Sequence, residues 1–322
     1  MTTDSQNNLI FVPGDMEKQT RAYLYASAAV LLWATSASAF KICLSPEHLN
    51  VPILPLLFGA SLVASAALFV HLLLSGKAAL LKTLSRADFA RSAFLGLLSP
   101  FLYYIVLFKA YSVLPAQEAQ PLNFVWPLTL VLLSAPILKH KIKRMDILAI
   151  LISFSGVLVI STKGHILSFR PTNPLGVALA TGSSIPWALY WIYNIKDKRD
   201  EVLRLFLNFT CASIYVFALM LVAGEFKTPG LKGALGVTYV GLFEMGITFL
   251  IWLKALKLSK TTANVAGLIY LVPFLSLVVI YFVLGEKILP STIIGAILIV
   301  GGIILQKLRT VRTSLYRNKS QD

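Results

Sequence analysis

Ten long apolar segments, separated by short polar connections, constrain the fold of this chain more than any other feature. They lie near residues 22–44, 52–75, 90–112, 116–138, 145–162, 174–194, 203–224, 232–256, 260–284 and 289–307. Each apolar run is continuous and does not alternate with period two, which favours helices over strands. About 20 apolar residues in a helix cross the hydrocarbon core of a bilayer. The sequence therefore predicts an all-α polytopic membrane protein with ten transmembrane helices.

Composition agrees with this interpretation. The chain is 57% hydrophobic and 13% charged, with a mean hydropathy of +0.76, whereas a soluble domain carries about 25% charged residues. One aqueous core cannot hide so much apolar surface. The first 20 residues are polar and lack an apolar stretch followed by a small-residue cleavage site. The first apolar segment is therefore predicted to be a retained span and not a secretory signal.

The basic residues predict the orientation. With a cytoplasmic N-terminus, 22 of the 29 Lys and Arg residues fall on the inner side and 7 on the outer side. This bias predicts that both termini are cytoplasmic and that the protein lies in the cell inner (plasma) membrane. It also accounts for the net charge of +15, because these bases hold the topology and meet anionic lipid. We therefore expect the lipid bilayer as a partner and no nucleic acid.

The two halves of the chain resemble each other. GLLSPFLYYIVLFKA (96–110) aligns without a gap with GLFEMGITFLIWLKA (241–255), and LLWATS (31–36) corresponds to IPWALY (185–190). Further matches follow in the same order, pairing Pro127 with Pro273, Lys141 with Lys287 and Gly156 with Gly302. Such ordered matches indicate duplication. Because five spans is an odd number, the second copy is predicted to be inverted, as in secondary transporters with a site near the midplane.

One segment and several motifs also resemble a known family. LGEKILPSTIIGAILIVGGIIL (284–305) and the paired Trp-Ala of spans one and six resemble the EamA-type drug/metabolite transporters. Glu118, Asn123, Trp126 and Pro127, with WALYWIYNIK (187–196), are most similar to the aromatic amino acid exporters of that family. The first half departs from the pattern at 139–140, where Lys-His replaces the Gly-Glu of 285–286. The resemblance implies that spans one, three, four, six, eight and nine line a path.

These observations predict the following organisation. It comprises a cytoplasmic tail (1–21), a first EamA-like five-helix repeat (22–162), a connecting loop (163–173), a second repeat (174–307) and a basic cytoplasmic tail (308–322). Spans one, five and ten are partly packing elements, because ASAAVLLWATSASA (26–39) and GAILIVGG (295–302) offer small residues for close helix approach.

Glu244 is the sharpest single candidate. It lies near the middle of span eight, where an acid is costly and generally faces a cavity or a partner. It could bind a substrate ammonium or take up a proton; the alternative is a protonated carboxyl hydrogen-bonded to a neighbouring helix. Its counterpart in the first repeat is Ser99.

Glu118 is a second candidate, at the predicted outer end of span four. It could cap the helix N-terminus, or pair with Lys109 as an outer gate. Glu286, beside Lys287 at the start of span ten, is interpreted as structural.

Aromatic and amide side chains recur at positions that suit a cavity wall. Trp and Tyr also gather at membrane interfaces, yet together with the resemblance they predict an aromatic-walled site for a ring-bearing or cationic substrate. The predicted substrate-binding residues are Glu244, Ser99, Tyr103, Asn123, Trp126, Trp187, Tyr190 and Tyr270, with Glu118, Lys109 and Glu244 predicted to act in gating or coupling.

The sequence thus predicts a secondary active or facilitative transporter that moves small metabolites by alternating access. Amino acids, aromatic ones among them, are the favoured substrates, and S-adenosylmethionine or another cationic or aromatic metabolite is the alternative. An intramembrane enzyme or a channel are the rival classes, but neither HExxH nor GxSxG occurs and no ring of charges suggests a filter. We expect no catalytic residue, no cofactor and no metal, protons as a candidate coupling ion, and a monomer or homodimer.

Overall fold

The computed structural model describes residues 13–138, 144–165, 173–259 and 267–319, and across these ranges the regular secondary structure is helical, without strands. The first half contains α1 (Pro13–Leu44), α2 (Ile53–Leu74), α3 (Arg86–Gly96), α4 (Tyr103–Val113), α5 (Ala116–Asn123), α6 (Trp126–Leu138) and α7 (Arg144–Ser161). The second half contains α8 (Pro174–Gly182), α9 (Ser184–Ile195), α10 (Glu201–Ala223), α11 (Leu231–Tyr239), α12 (Ile247–Leu258), α13 (Val272–Leu284) and α14 (Pro290–Lys319). Short 3₁₀ segments cover Ala78–Thr83 and Gly267–Leu271.

Helices of membrane-spanning length dominate the fold. Within the described ranges, seven stretches are long and apolar enough to cross a membrane: Glu17–Leu44, Ile53–Leu74, Arg86–Val113, Ala116–Ile137, Pro174–Asn194, Glu201–Ala223 and Leu231–Leu258. Shorter apolar helices cover Ile147–Ser161, Leu268–Leu284 and Pro290–Leu305. All of these fall on the predicted segments. The all-helical, multi-pass class is therefore confirmed, while the count of ten spans stays a prediction.

Local sequence signals set several helix ends. The Ser85 hydroxyl accepts from the Asp88 amide and the Asp88 side chain accepts from the Ser85 amide, which forms a capping box at α3. Asp200 caps α10 by accepting from the amides of Val202 and Leu203. At the other end of α10, Gly224 adopts a left-handed conformation with φ 68°, which glycine accepts without steric cost. These capping residues mark where α3 begins and where α10 begins and ends.

Two spans are interrupted at equivalent places. A kink over Leu97–Leu102, where Ser99 has non-helical backbone angles (φ −151°, ψ 128°), separates α3 from α4, and a π-helical turn over Val240–Gly246 separates α11 from α12. The gap-free alignment of 96–110 with 241–255 superimposes these two interruptions. π-Helical turns widen a helix locally and often occur at functional sites. Ser99 and Glu244, which the alignment pairs, therefore both lie within a break.

The contacts between helices are symmetric with respect to the two halves of the chain. Helix α2 packs against α10, and α7 packs against α14. Helix α1 of the first half lies against α12 and α13 of the second half. Helices α8 and α9 of the second half contact α4 and α6 of the first half, respectively. Exchanging the two halves maps this set of pairs onto itself.

The contact between α7 and α14 depends on glycine. A Cβ atom added at Gly156 would lie 2.6 Å from the Gly295 carbonyl oxygen, and one at Gly302 would lie 2.6 Å from the Ala149 carbonyl oxygen. Real side chains do not tolerate these distances, so the two backbones approach closely because both helices carry glycine. The predicted packing role of the small residues in 295–302 is confirmed for this helix pair.

Candidate functional site

Glu244 lies in the break of the eighth span, where three side chains from two other segments, α1 and α4, reach it. The Ser36 hydroxyl on α1 donates to Glu244 Oε2 at 2.5 Å. The Tyr104 hydroxyl on α4 donates to Oε1 at 2.9 Å. The Trp33 indole N–H also donates to the backbone carbonyl of Glu244 at 3.4 Å. All three donors belong to the first half of the chain and Glu244 belongs to the second, so these bonds join the two halves. Glu244 as a residue is partly buried.

An aromatic cluster adjoins this carboxyl group. The rings of Tyr103 and Tyr104 are 4.7 Å apart, and Tyr103 stacks on Trp187 at 4.5 Å. Phe249 lies 6.2 Å from Trp187 and 5.7 Å from Trp33. The cluster thus connects Glu244 with the sixth span through continuous ring contacts.

The polar side of the cluster lies between spans three, four and six. The Tyr103 hydroxyl donates to Asn123 Oδ1 at 3.3 Å, and Asn123 Nδ2 donates to the Ser183 hydroxyl at 2.8 Å. Trp126 lies edge-on to Trp187 with the ring centroids 6.4 Å apart. These contacts satisfy the amide of Asn123, which is buried and would be costly to leave without partners.

The structure brings most of the predicted binding residues together. Glu244, Tyr103, Asn123, Trp126 and Trp187 form one connected set, and Tyr190 stacks on Trp187 at 5.8 Å. Ser99 is buried in the break of the third span. Tyr270 lies in the 3₁₀ segment Gly267–Leu271 and packs against the hydrophobic core.

Sequence reasoning missed several side chains of this cluster. Span one was predicted to be partly a packing element and to line the path, but none of its residues was selected, and it supplies Trp33 and Ser36. Tyr104 and Phe249 were not selected, although the alignment of the two halves pairs them, as it pairs Trp33 with Trp187. Repeat-related aromatic pairs were therefore the signal that could have identified the cluster.

The surroundings of Glu118, at the N-terminal end of span four, differ from the prediction. The cation beside Glu118 is Lys163, with Nζ 3.6 Å from Oε1, and not the predicted Lys109, which is exposed. Helix α4 buries Leu107, Phe108 and Tyr111 against the bundle, so position 109 faces outward. The predicted pairing of Glu118 with Lys109 is corrected accordingly.

The N-terminus of α5 is bound by another acid, Glu286. Glu286 Oε1 accepts from the Ala116 amide at 2.9 Å, and Oε2 accepts from the Gln117 amide at 3.1 Å. The Gln117 side chain in turn donates to the Lys287 carbonyl at 2.9 Å and accepts from the Leu289 amide at 2.9 Å. Glu286 thus has a structural role, as predicted, and its partners lie in the other half of the chain. The residue that caps α5 is Glu286 and not Glu118.

A charged cluster lies between span six and span seven, outside both of them. Arg199 binds Asp197 at 2.6 Å, and Arg91 on α3 lies 3.7 Å from the same carboxylate. Burial alone would raise the pKa of Asp197, but the hydrogen bonds and charge of Arg199 outweigh it and hold that pKa below its ordinary value. Lys77 binds Asp200 nearby at 2.5 Å. These pairs join the 75–91 connection to the 195–202 connection.

Membrane-spanning helices packed around a carboxyl group and an aromatic cluster define a multi-pass membrane protein with a polar site inside its helix bundle. The sequence profile of one family, the EamA-like transporter family, matches this chain twice, over residues 20–162 and 174–306. The chain belongs to the EamA-like transporter family.

Individual relatives agree with this assignment. An uncharacterized transporter of Clostridium kluyveri is 29% identical over 52% of this chain, and the match spans only 56% of that relative. The uncharacterized transporter YvbV of Bacillus subtilis is 26% identical over 89% of this chain and 92% of its own length. The aromatic amino acid exporter YddG of Ancylobacter novellus is 26% identical over 63% of this chain and 70% of its own length. A crystal structure with a TM-score of 0.63 and 21% identity covers 91% of this chain and 99% of its own, which supports the fold.

Proposed function

We propose that this protein is a secondary carrier, active or facilitative, that moves small metabolites across the membrane by alternating access. Amino acids, aromatic ones included, are the favoured substrates. The observation that carries the proposal is Glu244, a carboxyl group placed in a helix break and hydrogen-bonded by residues of the other half. The relative described as an aromatic amino acid exporter supports the substrate class.

The proposed architecture has ten spans in two inverted repeats. The repeats cover 22–162 and 174–307 and are joined by the loop 163–173, with tails at 1–21 and 308–322. Both termini face the cytoplasm, and the membrane is the cell inner membrane. The double match of the family profile, the equivalent helix breaks and the exchangeable packing pairs support this architecture.

Glu244 is proposed to have a role in binding or coupling. It binds a substrate ammonium, or it takes up a proton during the transport cycle. Tyr103, Asn123, Trp126, Trp187 and Tyr190 form the wall against which a ring stacks. Ser99 and Tyr270 complete the proposed site from the third and ninth spans.

The outer gate is proposed to lie where α5 meets the 285–289 connection. Glu286 and Gln117 join the two halves there, and the Glu118–Lys163 pair is adjacent. Opening toward the outside requires that these bonds break, so their strength sets the balance between the two states. Transport by rocking halves needs such a reversible contact.

The test is transport in proteoliposomes containing the full-length chain. Preloading with unlabelled tryptophan or phenylalanine is expected to accelerate uptake of the labelled amino acid, which a channel would not show. Glu244→Gln is expected to abolish uptake driven by a pH gradient. Glu225→Gln, the same change at an exposed residue, serves as the control. Unchanged transport and unchanged pH dependence in Glu244→Gln would remove Glu244 from both roles.

A further inference from the structure

Five aromatic side chains and Glu244 form a closed circuit of contacts, here termed the aromatic cage. Its aromatic members come from spans one, three, six and eight and are Trp33, Tyr103, Tyr104, Trp187 and Phe249. Successive ring centroids lie 4.5–6.2 Å apart. Glu244 closes the circuit through its bonds to Tyr104 and Trp33.

The cage is built from repeat-related pairs. The alignment of the two halves pairs Trp33 with Trp187 and Tyr104 with Phe249, and the fifth member, Tyr103, aligns with Thr248. The aromatic wall is therefore nearly equivalent in the two halves. The charge is not equivalent, because Glu244 aligns with Ser99. A duplicated wall has thus acquired a single acidic group on one side.

The members of the cage differ in their accessibility. Tyr103, Tyr104 and Phe249 are buried, whereas Trp33, Trp187 and Glu244 are only partly buried. The surface that the cage leaves accessible therefore belongs to two indole side chains and to Glu244. The faces of indole rings attract cations more strongly than those of other aromatic side chains.

The cage includes an acidic side chain, and the residues described in contact with it are not basic. Of the described residues, those that hydrogen-bond or make ring contacts with the cage include no Lys or Arg. Lys41 is held by the carbonyls of Tyr111 and Leu114 at 3.2 and 2.9 Å, and Lys254 lies over Tyr25 at 4.6 Å. An ammonium group would find Glu244, but a carboxylate would be desolvated without a cationic partner.

We propose, on the basis of the carrier function above, that the aromatic cage selects ring-bearing organic cations. The substrate ammonium binds Glu244 and the ring packs against the accessible parts of Trp33 and Trp187, while a substrate carboxylate is dispensable and weakens binding. An α-amino acid has the same ammonium group, so it binds the same site. Its affinity is lower because its carboxylate loses water without gaining a cationic partner. Aromatic amines are the better ligands.

Three indole probes that differ in charge test this selectivity. Binding of tryptamine, tryptophan and indole-3-propionate to the purified full-length protein is measured by calorimetry. Tryptamine is expected to bind at least tenfold more tightly than tryptophan, and indole-3-propionate is expected not to bind. Glu244→Gln is expected to weaken tryptamine binding at least tenfold, with Glu225→Gln unchanged.

A second variant guards against misfolding of Glu244→Gln. Trp187→Leu keeps the carboxylate but removes the indole surface, so tryptamine is expected to bind at least fivefold more weakly when binding is measured well below the melting temperature of the variant. Tryptophan binding as tightly as tryptamine, or no tryptamine binding, would overturn the cation selectivity. If the selectivity is overturned in this way, tryptophan exchange in proteoliposomes would still support the carrier function. Conversely, tryptamine binding without any exchange would overturn the carrier function alone.

Discussion

At the scale of single residues, the acidic side chains of this protein differ mainly in what compensates their charge. Glu244 accepts two side-chain hydrogen bonds, and Glu286 accepts two backbone amides at a helix N-terminus. Asp197 is paired with guanidinium groups outside the spans. Each acid therefore has a separate energetic role, which single substitutions can distinguish.

Asp197→Asn is predicted to reduce stability by about 2 kcal/mol at neutral pH, the typical value for hydrogen bonds to charged groups. The pKa of Asp197 is held below its ordinary value in the folded protein. Its stabilisation is therefore complete above the unfolded pKa of about 4 and is lost as the pH falls through the lower folded pKa. Melting temperatures of wild type and Asp197→Asn are expected to differ equally from pH 8 to pH 5 and to converge only in stronger acid.

The exposed pair Glu17–Arg21 supplies the control for Asp197. Its side chains are 66% and 63% exposed at a separation of 2.7 Å. Pairs of this kind contribute about 0.3–0.5 kcal/mol, so Glu17→Gln is expected to change the melting temperature little at any pH. An equal effect of both substitutions would contradict a special role for Asp197.

Glu286→Gln is predicted to weaken the outer contact between the halves. The neutral amide retains an acceptor oxygen but loses the charge that suits a helix N-terminus, so a loss of about 1 kcal/mol is expected. The melting temperature in detergent measures the loss, with Glu225→Gln as the exposed control. A melting temperature equal to that of wild type would show that the carboxylate adds nothing to this contact.

At the scale of elements, close helix contacts depend on where glycine is placed. Gly302 faces α7, whereas a Cβ atom added at the neighbouring Gly301 would meet no atom within 4 Å. The two residues lie in the same helix and differ only in the face they present. This adjacency offers a matched pair of substitutions.

Gly302→Ala is predicted to destabilise the protein by about 1–3 kcal/mol, because the added methyl group overlaps the α7 backbone. Gly301→Ala is predicted to be neutral or to stabilise by up to about 1 kcal/mol, since alanine favours a helix. Thermal unfolding in detergent measures both variants. Equal effects would mean that helix propensity, and not contact with α7, controls this position.

At the scale of the whole molecule, the inverted duplication is the decisive proposal. It requires that both termini face the cytoplasm and that the connections alternate between the two sides. Glu225, after α10, is then outside, and Lys198, before α10, is inside; both residues are exposed. Single cysteines at these sites report the orientation directly.

With Cys43 and Cys211 replaced by alanine, Glu225→Cys is expected to react with an impermeant maleimide in intact cells. Lys198→Cys is expected to react only after the cells are opened. The background without cysteine gives the control signal. Labelling of Lys198→Cys but not of Glu225→Cys in intact cells would contradict the proposed orientation.

Sequence reasoning determined the class of this protein and the family to which it belongs. It located the apolar helices, and it selected Glu244, Asn123 and Trp187 as candidate site residues, which lie in one connected cluster in the structure. These features depend on composition and local pattern, because the transfer of a helix into lipid is decided segment by segment. The duplication could also be detected along the chain.

Only the tertiary structure decided which side chains meet. Ser36 and Glu244 are 208 positions apart, and Ala116 and Glu286 are 170 apart. Hydropathy cannot specify such partners, since it records how each segment prefers lipid and not which face of it meets another helix. The prediction that Lys109 lies beside Glu118, where the structure has Lys163, was wrong for the same reason. Side-chain direction depends on helix rotation, and packing of the whole bundle sets that rotation.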